Sequence, residues 1–439
     1  MQTQYSSKYN SLTLIYPPYD QVYSEQNHTA FLPQLGLLEI LDSIDDIDIS
    51  TSYIDVQYEE NNKSLWLEKK VKLSNLNEND IIGFYTQTSL MPWISDCIKQ
   101  IRNKNKRVKI IAGGPYVSGV FLGNKTSIQQ DKCKELFDYI FCGESEITLR
   151  NFLLNRITND KILYSGRLSS DKIGFPKWQK AAEYIKAYKP APNWVGDPSL
   201  NSLPILLSRG CKRACSFCMS KCIWNSKVVE KQISSIKNEL YYFIDLYDLN
   251  HLQIWDDDFL LNKNYTEFCK LLGDYSMSYS INTYPNMITY KNALHLKETG
   301  CTNVLFGVES LEPEIQKSIG KVINEKELIN ACKIIKEQGI SITLSFIIGF
   351  PNETENSINK IKDFIIRNKK IFDYILVNIL SLHPGTRVYE QTLKKGYLKE
   401  SSLVPNIYYK GEPYALKTTS KFPRERLQEL QKELTNILL

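Results

Sequence analysis

The feature that most constrains the fold is a repeated alternation of short apolar runs with longer amphipathic stretches, in two separate series along the chain. Short, continuously apolar runs predict strands that are buried on both faces, and the amphipathic stretches between them predict crossover helices. This alternation is typical of parallel α/β sheets. The first series contains the predicted strands Leu12–Tyr16, Ile47–Ile54, Ile81–Tyr85, Val108–Ala112 and Phe137–Phe141.

The first series predicts a doubly wound, Rossmann-like domain over residues 1–155, with helices that include Leu35–Ile44 and Ile94–Arg102. Sheets of this kind bind ligands at the carboxyl ends of their strands. Gly113 and Gly114 follow the fourth strand, and adjacent glycines let the backbone approach a bulky ligand closely. Tight turns without a ligand are an equally good interpretation of these glycines.

The second series predicts six strand–helix units over residues 201–395, which suit a partial β/α barrel of the TIM type. Several Pro and Gly residues in segment 156–200 predict a linker, with one helix near Trp178–Tyr188. Residues 396–439 predict a C-terminal extension with the helix Arg424–Leu438. The predicted barrel strands are Leu203–Ser208, Leu252–Trp255, Tyr279–Thr283, Asn303–Gly307, Ile342–Ile348 and Tyr374–Leu380.

Composition narrows the class of protein. The excess of 54 Lys and Arg over 49 Asp and Glu is too small in 439 residues to predict binding to nucleic acid or to an anionic membrane. No run approaches 18 apolar residues, so no transmembrane helix is expected, and the N-terminus lacks the order of a signal peptide. Ten cysteines in so long a chain predict a reduced, cytoplasmic protein with one metal or redox site.

Four of the cysteines lie in one short segment directly after the first predicted barrel strand. The spacing of Cys211, Cys215 and Cys218 is CxxxCxxC. Three thiolates suit an iron–sulfur cluster in which one iron stays open to an exogenous ligand. A zinc site with Cys222 as the fourth ligand is the alternative, although zinc sites more often contain paired CxxC units and no second pair exists.

This cysteine segment resembles that of the radical S-adenosylmethionine (SAM) superfamily, in which an aromatic residue precedes the last cysteine of CxxxCxxC. The resemblance implies a [4Fe–4S] cluster held by Cys211, Cys215 and Cys218. It also implies that the fourth iron chelates the amino and carboxylate groups of SAM, and that Phe217 lies near the adenine. Cys222 lies outside the motif and is expected to be a structural thiol.

Later barrel segments resemble the SAM-binding motifs of the same family, in the family's order. Asp256, Asp257 and Asp258 end the second strand, and the resemblance implies that their carboxylates face the SAM ammonium group. A solvated acidic turn is the alternative. Glu309 and Ser310 end the fourth strand and resemble the segment that contacts the ribose hydroxyls.

Two further segments extend the resemblance. Gly349 and Pro351 belong to GFPNET, which resembles the segment beside the adenine, whereas Glu353 or Thr354 alternatively caps the following helix. Lys321 and the HPGT turn at residues 383–386 are additional matches.

The N-terminal domain resembles the cobalamin-binding domain of one radical SAM subgroup. The matching segments are Pro33–Leu38, Gly113–Pro115, and Asp138 with Cys142–Glu146. The chain has no DxHxxG motif, which excludes a lower cobalt ligand of that histidine type. Glu144 alternatively caps the helix that follows it. The candidate cobalamin contacts are Thr86, Thr88, Gly113, Gly114, Gly143 and Glu144.

Together these resemblances imply a cobalamin-dependent radical SAM C-methyltransferase. One SAM would methylate cobalamin, and a second would be cleaved to a radical that abstracts hydrogen from an unactivated carbon of a peptide or other natural product. An external one-electron reductant, such as flavodoxin or ferredoxin, is implied as a partner. The alternatives are a radical SAM enzyme that cyclises, rearranges or oxidises its substrate, and a cysteine–metal or electron-transfer protein without turnover.

Overall fold

The first domain contains a six-stranded parallel sheet in the order β2-β1-β3-β4-β5-β6. The order reverses between β1 and β3, as in other doubly wound sheets. A computed structural model describes residues 5–18, 33–58, 67–123, 127–157, 160–188, 197, 199–395 and 422–438. The strands are β1 (Tyr5–Tyr16), β2 (Ile47–Asp55), β3 (Asp80–Tyr85), β4 (Lys109–Gly113), β5 (Tyr139–Cys142) and β6 (Ile162–Tyr164).

The helices of this domain connect the parallel strands. Inward-facing side chains of β3 and β4 are almost fully buried, as the continuous apolar runs predict. The doubly wound Rossmann-like architecture is therefore confirmed. The helices are α1 (Leu35–Ser43), α2 (Met91–Lys104), α3 (Pro115–Leu122), α4 (Ser127–Leu136) and α5 (Glu146–Leu153).

The segment that the sequence assigns to a linker is in part an extension of the first domain. Strand β6 lies within it and pairs with β5, and its three residues are too few to show a hydrophobic period. The helix expected near Trp178–Tyr188 is a 3₁₀ turn followed by the short helix α6 (Ala182–Ile185). The Tyr188 hydroxyl donates to Asp55 at 3.0 Å, which ties this segment to the first sheet. Predicted linker residues 189–196 lie outside the described residues.

The second domain contains six parallel strands in the order β7-β10-β11-β12-β13-β14, and together with the helices between them they form the predicted partial barrel. A separate antiparallel hairpin, β8 (Ser208–Arg209) with β9 (Val229–Glu230), frames the cysteine segment and is absent from the prediction. The barrel strands are β7 (Ser202–Ile205), β10 (His251–Ile254), β11 (Ser278–Thr283), β12 (Cys301–Glu309), β13 (Ser341–Ile348) and β14 (Tyr374–Ile379).

The barrel helices match the predicted amphipathic stretches, and several begin at side-chain caps. Thr354 and Ser357 form a reciprocal capping box at the start of one helix, and Asn324 caps another. The helices are α7 (Ser220–Trp224), α8 (Ile233–Tyr247), α9 (Tyr265–Asp274), α10 (Tyr290–Glu298), α11 (Pro313–Ile319), α12 (Glu325–Glu337), α13 (Glu355–Asn368) and α14 (Arg387–Lys394).

The C-terminal extension packs on the barrel edge. Helix α15 (Arg424–Thr435) lies against β14, where Gln431 Nε2 donates to the Val377 carbonyl at 2.6 Å. Residues 396–421, which complete the predicted extension, lie outside the described residues. Within the part of the chain that the structure describes, no helix is long and apolar enough to cross a membrane.

The two domains pack through α3 and the turn that follows β14. Thr88 Oγ1 lies 3.0 Å from His383 Nδ1. A Cβ atom added at Gly119 would collide with the Pro384 carbonyl, so a glycine is needed for this approach. This packing brings the carboxyl ends of the two sheets to opposite sides of one interface.

Candidate active site

The three cysteines of the CxxxCxxC motif line one cavity of about 250 Å³ at the carboxyl ends of the barrel strands. The segment that carries them leaves β8 through Gly210, which has φ +107° and packs against the Lys227 carbonyl. The backbone N–H of Ser216 donates to Ile319 at 2.8 Å, and that of Val388 donates to Ser216 at 3.0 Å. Two neighbouring segments thus fix the cysteine loop.

The chemistry of the three thiols fits a thiolate-ligated cluster. Backbone N–H groups of Arg213 and Ser220 each donate to a sulfur, of Cys211 and Cys218 respectively, at 3.4 Å. Such hydrogen bonds are the type that stabilises cluster-bound sulfur. Burial raises the pKa of Cys211 to about 11 and that of Cys218 to about 12. Among the described residues, no three His, Cys, Asp or Glu side chains are already gathered as ligands of a metal ion.

Of the three predicted aspartates, Asp256 has a structural role. Its carboxylate is fully buried and accepts from the Leu207 N–H at 2.7 Å and from the N–H and hydroxyl of Ser208 at 3.0 and 2.6 Å. Burial raises the pKa of Asp256 to about 6. Asp256 reaches the cavity wall, but its hydrogen bonds hold the chain between β7 and β8.

Asp257 and Asp258 differ in whether they line the cavity. Asp258 accepts from Thr283 Oγ1 at 2.8 Å and from Arg213 Nε at 3.4 Å, and it does not line the cavity. Asp257 lines the cavity and accepts from Ser220 Oγ at 2.7 Å. Burial raises the pKa of both carboxyl groups. Asp257 is therefore the carboxylate best placed to face a ligand cation.

Glu309 and Lys321 form a buried ion pair in the wall of the same cavity, with Nζ to Oε1 at 2.7 Å. Glu309 has φ +64°, an uncommon conformation for a residue with a side chain, at an irregularity in the pairing of β12 with β13. The Lys321 ammonium also lies 4.2 Å from the ring centre of Tyr284. Ser310 is fully buried, lies outside the cavity wall and accepts from the Glu312 N–H, and its contact with the ribose stays a prediction.

Phe217 lines the cavity and packs edge-on against Phe350, with ring centres 5.8 Å apart. Gly349 and Pro351, also predicted as ligand contacts, lie outside the cavity wall, and the Gly349 N–H donates to Glu353 at 2.9 Å. The capping alternative is confirmed for Thr354, and Glu353 instead holds the preceding loop. The GFPNET segment therefore supports the site from behind.

Several residues that line the barrel cavity are not predicted from the sequence, because they belong to no recognisable motif. Their position at the carboxyl ends of predicted barrel strands is the one signal that could have identified them. Tyr284 is the most notable, because its hydroxyl lies 3.4 Å from Cys215 Sγ and the Arg213 guanidinium lies 3.3 Å from its ring centre. The others are Asn282, Thr283, Leu305 and Ser345.

A second cavity, of about 310 Å³, lies at the carboxyl ends of β1, β3, β4 and β5. Gly113, Gly114 and Gly143 line it, as predicted. An added Cβ would meet nothing within 4 Å at Gly113, so bare backbone faces open space there. Gly114 and Gly143 have φ +106° and +91°, which favour glycine. A glycine turn in a mainly apolar wall fits a large, flat ligand such as a corrin.

Thr86 and Thr88, also predicted to contact cobalamin, do not line this cavity. Thr86 is fully buried and donates to the Gly113 carbonyl at 2.8 Å, so it holds the glycine turn. Thr88 contacts His383 instead. No histidine lies in the described wall of the cavity, and His28 lies outside the described residues.

Glu144 lines the cavity, so its contact with cobalamin stays a prediction, whereas the helix that follows begins without a side-chain cap. Its carboxylate pairs with Arg209 at 3.0 Å and with Arg167 at 2.7 Å, and it accepts from the Leu168 N–H at 2.8 Å. All these groups are buried or nearly so. Glu144 therefore joins the first domain to the hairpin that precedes the cysteines.

Trp255, the first residue after β10, lines both cavities. The barrel also contributes Leu206, Ile223 and Trp224 to the first-domain cavity. The two cavities are therefore neighbours that share a wall, although one is built mainly on the first sheet and the other on the barrel.

Residues 205–365 match the radical SAM superfamily model. An uncharacterized methyltransferase of Pyrococcus horikoshii, PH0819, is 27% identical over 338 residues, which cover 73% of this chain and 70% of the relative.

Solved structures share the fold. TsrM of Kitasatospora setae, a radical SAM methyltransferase solved with cobalamin and a [4Fe–4S] cluster, superposes with a TM-score of 0.66 at 13% identity, over 88% of this chain and 78% of TsrM. OxsB, a cobalamin-dependent SAM radical enzyme, superposes with a TM-score of 0.61 at 14% identity, over 98% and 62%. Residues 205–365 therefore match the radical SAM superfamily, and the chain as a whole shares its fold with TsrM and OxsB.

Proposed function

We propose that the chain is a cobalamin-dependent radical SAM methyltransferase that methylates an unactivated carbon of a small-molecule or peptide substrate. The observation that carries the proposal is the position of Trp255 in the walls of both cavities. Two reactive groups held in adjoining cavities can act on one substrate between them, because proximity replaces a diffusional encounter. The methyltransferase names of PH0819 and TsrM support methyl transfer as the reaction class.

In this proposal Cys211, Cys215 and Cys218 hold the cluster, and Asp257 and Glu309 bind SAM. When bound, the cluster and SAM supply a 5′-deoxyadenosyl radical, and cobalamin carries the methyl group. Asp257 would accept hydrogen bonds from the SAM ammonium, a charge-assisted contact.

The remaining wall residues orient the reactants and exclude water. Phe217 and Trp255 present apolar surface, which protects a reactive radical from side reactions. Lys321 neutralises Glu309 and thereby keeps that carboxylate from repelling Asp257 across the cavity. The side chains of the protein would therefore bind and orient the reactants, whereas the cofactors supply the reactive groups.

We assign the reaction to a reducing cytoplasm, with an external one-electron reductant. The ten cysteines are spread over a chain of 439 residues, whereas disulfide scaffolds are typical of short secreted chains, and this supports the assignment.

The test measures the molar amount of cobalamin bound per chain, by absorbance and by cobalt analysis. The chain is first reconstituted anaerobically with iron, sulfide and hydroxocobalamin. Gly113 is replaced by Ala, Leu and Trp, which fill the first-domain cavity progressively. Gly166→Trp is the matched control, because an added Cβ there also meets open space and Gly166 lines neither cavity. Iron, sulfide and zinc are quantified in the same samples.

The proposal predicts about one cobalt per chain in the wild type and in Gly166→Trp, with a graded loss from Gly113→Ala to Gly113→Trp. It also predicts iron and sulfide with little zinc. A wild-type chain that binds iron and sulfide but no cobalamin would contradict methyl transfer from cobalamin and favour a cyclisation, rearrangement or oxidation. Stoichiometric zinc instead of iron would contradict the radical SAM assignment itself.

A further inference from the structure

Tyr284 follows β11 directly, and its side chain lines the barrel cavity and reaches the middle cysteine of the CxxxCxxC motif. Pro285 comes next and favours the extended backbone that Tyr284 adopts, with φ −98° and ψ 144°. Tyr284 and Cys215 are both buried, and the Tyr284 hydroxyl lies 3.4 Å from Cys215 Sγ. This contact is therefore shielded from water, where a hydrogen bond is electrostatically stronger than at the surface.

The backbone on each side of this contact is anchored. The Ser216 N–H donates to a carbonyl at the end of α11 at 2.8 Å, and the Cys218 N–H donates to the Cys215 carbonyl at 3.3 Å. The Tyr284 carbonyl accepts from the Met287 N–H at 3.0 Å in the 3₁₀ turn that follows β11. The approach of the hydroxyl to the sulfur is therefore set by two held segments of the chain.

Two cations hold the Tyr284 ring. The Arg213 guanidinium lies 3.3 Å and the Lys321 ammonium 4.2 Å from the ring centre. Each cation also pairs with a carboxylate, Arg213 with Asp258 at 3.4 Å and Lys321 with Glu309 at 2.7 Å. Cation–π contacts of this kind stabilise the position of the ring, and they draw electron density away from it. A ring polarised in this way carries a hydroxyl that is a better hydrogen-bond donor.

The three sulfurs of the motif differ in the kind of donor that they meet. Cys211 and Cys218 each accept from a backbone N–H, which a substitution cannot remove. The partner of Cys215 is a side chain. A cysteine that ligates a cluster is a thiolate without a proton to donate, whereas a phenol is protonated at neutral pH. With a cluster in place, the Tyr284 hydroxyl is therefore the donor and the Cys215 sulfur the acceptor.

We propose that Tyr284 is a positioning residue whose hydroxyl donates a hydrogen bond to the cluster thiolate of Cys215 and thereby favours the reduced form of the cluster. The inference rests on the proposed function, which assigns Cys211, Cys215 and Cys218 to a [4Fe–4S] cluster. Reduction adds one electron from an external one-electron reductant, and no bond of Tyr284 forms or breaks. A donor aimed at a cysteine sulfur stabilises the added negative charge, and such hydrogen bonds help to set cluster potentials.

The test is the midpoint potential of the reconstituted full chain, measured without SAM by titration with dithionite and electron paramagnetic resonance. The variant is Tyr284→Phe, which keeps the ring and removes the hydroxyl. The matched control is Tyr279→Phe, which removes a buried tyrosine hydroxyl from the same strand. That hydroxyl lies 2.7 Å from Thr299 Oγ1, and Tyr279 lines neither cavity. Iron, sulfide and thermal unfolding are measured for every chain.

We expect Tyr284→Phe to shift the reduction equilibrium about tenfold toward the oxidised cluster, which lowers the midpoint potential by about 59 mV for one electron. Tyr279→Phe loses a buried hydrogen bond, so it should lower the unfolding temperature and leave the potential at the wild-type value. A Tyr284→Phe chain with full iron and sulfide and the wild-type potential would overturn the proposal.

A second substitution keeps the test decisive if Tyr284→Phe takes up no cluster. In Tyr284→3-fluorotyrosine, fluorine withdraws electrons from the ring and makes the hydroxyl a stronger donor, with almost no change of shape. The midpoint potential should therefore rise above that of the wild type, opposite in sign to the effect of Tyr284→Phe. A potential equal to or below the wild-type value would overturn the proposal.

Metal and cobalamin contents separate this proposal from the proposed function. A wild-type chain that binds zinc in place of iron and sulfide would contradict both. A wild-type chain that holds a reducible cluster but no cobalamin would contradict methyl transfer, and its potentials would still decide the role of Tyr284. If cluster and cobalamin are both bound and the potentials of wild type and Tyr284→Phe are equal, only the role of Tyr284 fails.

Discussion

Arg209 donates a hydrogen bond to Glu39 at 2.6 Å across the boundary between the two domains. The same guanidinium pairs with Glu144 and Glu146, at 3.0 and 2.7 Å, and Lys231 pairs with Glu39 at 2.9 Å. Burial acts to raise the pKa of Glu39, but Arg209 and Lys231 together lower it below its ordinary value. Arg209 stands two residues before Cys211, the first cysteine of the CxxxCxxC motif, so this buried network links both cavities.

The first prediction concerns this network. Arg209→Met leaves the carboxylates of Glu39, Glu144 and Glu146 with too few buried cations, and we expect a loss of about 3 kcal/mol or more in unfolding free energy. Urea unfolding monitored by two spectroscopic probes would measure it. The control is Arg367→Met, which breaks the exposed pair with Glu325 and should cost under about 1 kcal/mol. Equal losses of unfolding free energy in the two variants would show that the network does not hold the two domains together.

The second prediction separates two adjacent aspartates. Asp257→Asn removes the carboxylate best placed for a ligand cation, and we expect SAM affinity to fall by about 10- to 100-fold while stability changes little. Asp256→Asn disturbs the hydrogen bonds to Leu207 and Ser208, so it should lower the unfolding midpoint. Anaerobic equilibrium dialysis with SAM and thermal unfolding measure the two effects. The assignment fails if Asp257→Asn binds SAM as the wild type does.

The third prediction concerns pH and Glu353. Burial raises the pKa of this carboxyl group to about 7, despite hydrogen bonds from Ser357 and two backbone N–H groups that favour the charged form. Between pH 4.5 and 7 the folded chain binds more protons at this group than the unfolded chain does. Its contribution to stability is therefore complete below about pH 4.5 and is lost as pH rises through 7.

Glu353→Gln cannot ionise and keeps an oxygen acceptor, so its stability relative to the wild type should rise from pH 5 to pH 8. Urea midpoints at four pH values would show this trend. Glu298→Gln, on an exposed helix position, controls for the loss of one charge. A stability difference between Glu353→Gln and wild type that is constant over this range would refute the prediction.

The fourth prediction concerns the packing of the two domains. Gly119→Ala places a methyl group against the Pro384 carbonyl, and backbone cannot yield as a flexible side chain does. We expect a destabilisation of about 1–3 kcal/mol, as for overpacked cores. Gly273→Ala in helix α9 makes only ordinary contacts with Thr299 and should be neutral or stabilising by up to about 1 kcal/mol. Thermal unfolding of both variants distinguishes a specific domain contact from a general intolerance of alanine.

Local sequence patterns are sufficient to predict most of the helices and strands and to identify the cysteine motif. The sequence predicts helical stretches over Tyr265–Asp274 and Glu325–Glu337, and helices α9 and α12 have the same bounds, because each carries a clear amphipathic period between recognisable ends. Strand β6 and the β8–β9 hairpin escaped prediction, because two or three residues cannot show a period. Their pairing depends on partners that are distant in the chain.

The site was predictable in composition but not in the role of each side chain. Asp256 and Asp257 are adjacent residues of the same type, and both line the cavity. Asp256 accepts hydrogen bonds from two backbone N–H groups, whereas Asp257 accepts one from the Ser220 hydroxyl. Thr86 is predicted to contact a ligand, whereas it lies outside the cavity wall and holds the glycine turn, and Glu144 lines the cavity but also pairs with Arg209. These roles depend on contacts between segments far apart in sequence, which single-chain patterns do not encode.

The proposed transfer of the methyl group of SAM by way of bound cobalamin can be tested without knowing the substrate. The chain, reconstituted with iron, sulfide and cobalamin, is incubated anaerobically with methyl-labelled SAM and titanium(III) citrate, and the label is followed by chromatography. We expect label in the cobalamin fraction and an equal amount of S-adenosylhomocysteine, with both amounts reduced in Gly113→Trp and retained in Gly166→Trp. Cobalamin that binds stoichiometrically but acquires no label would contradict the proposed transfer.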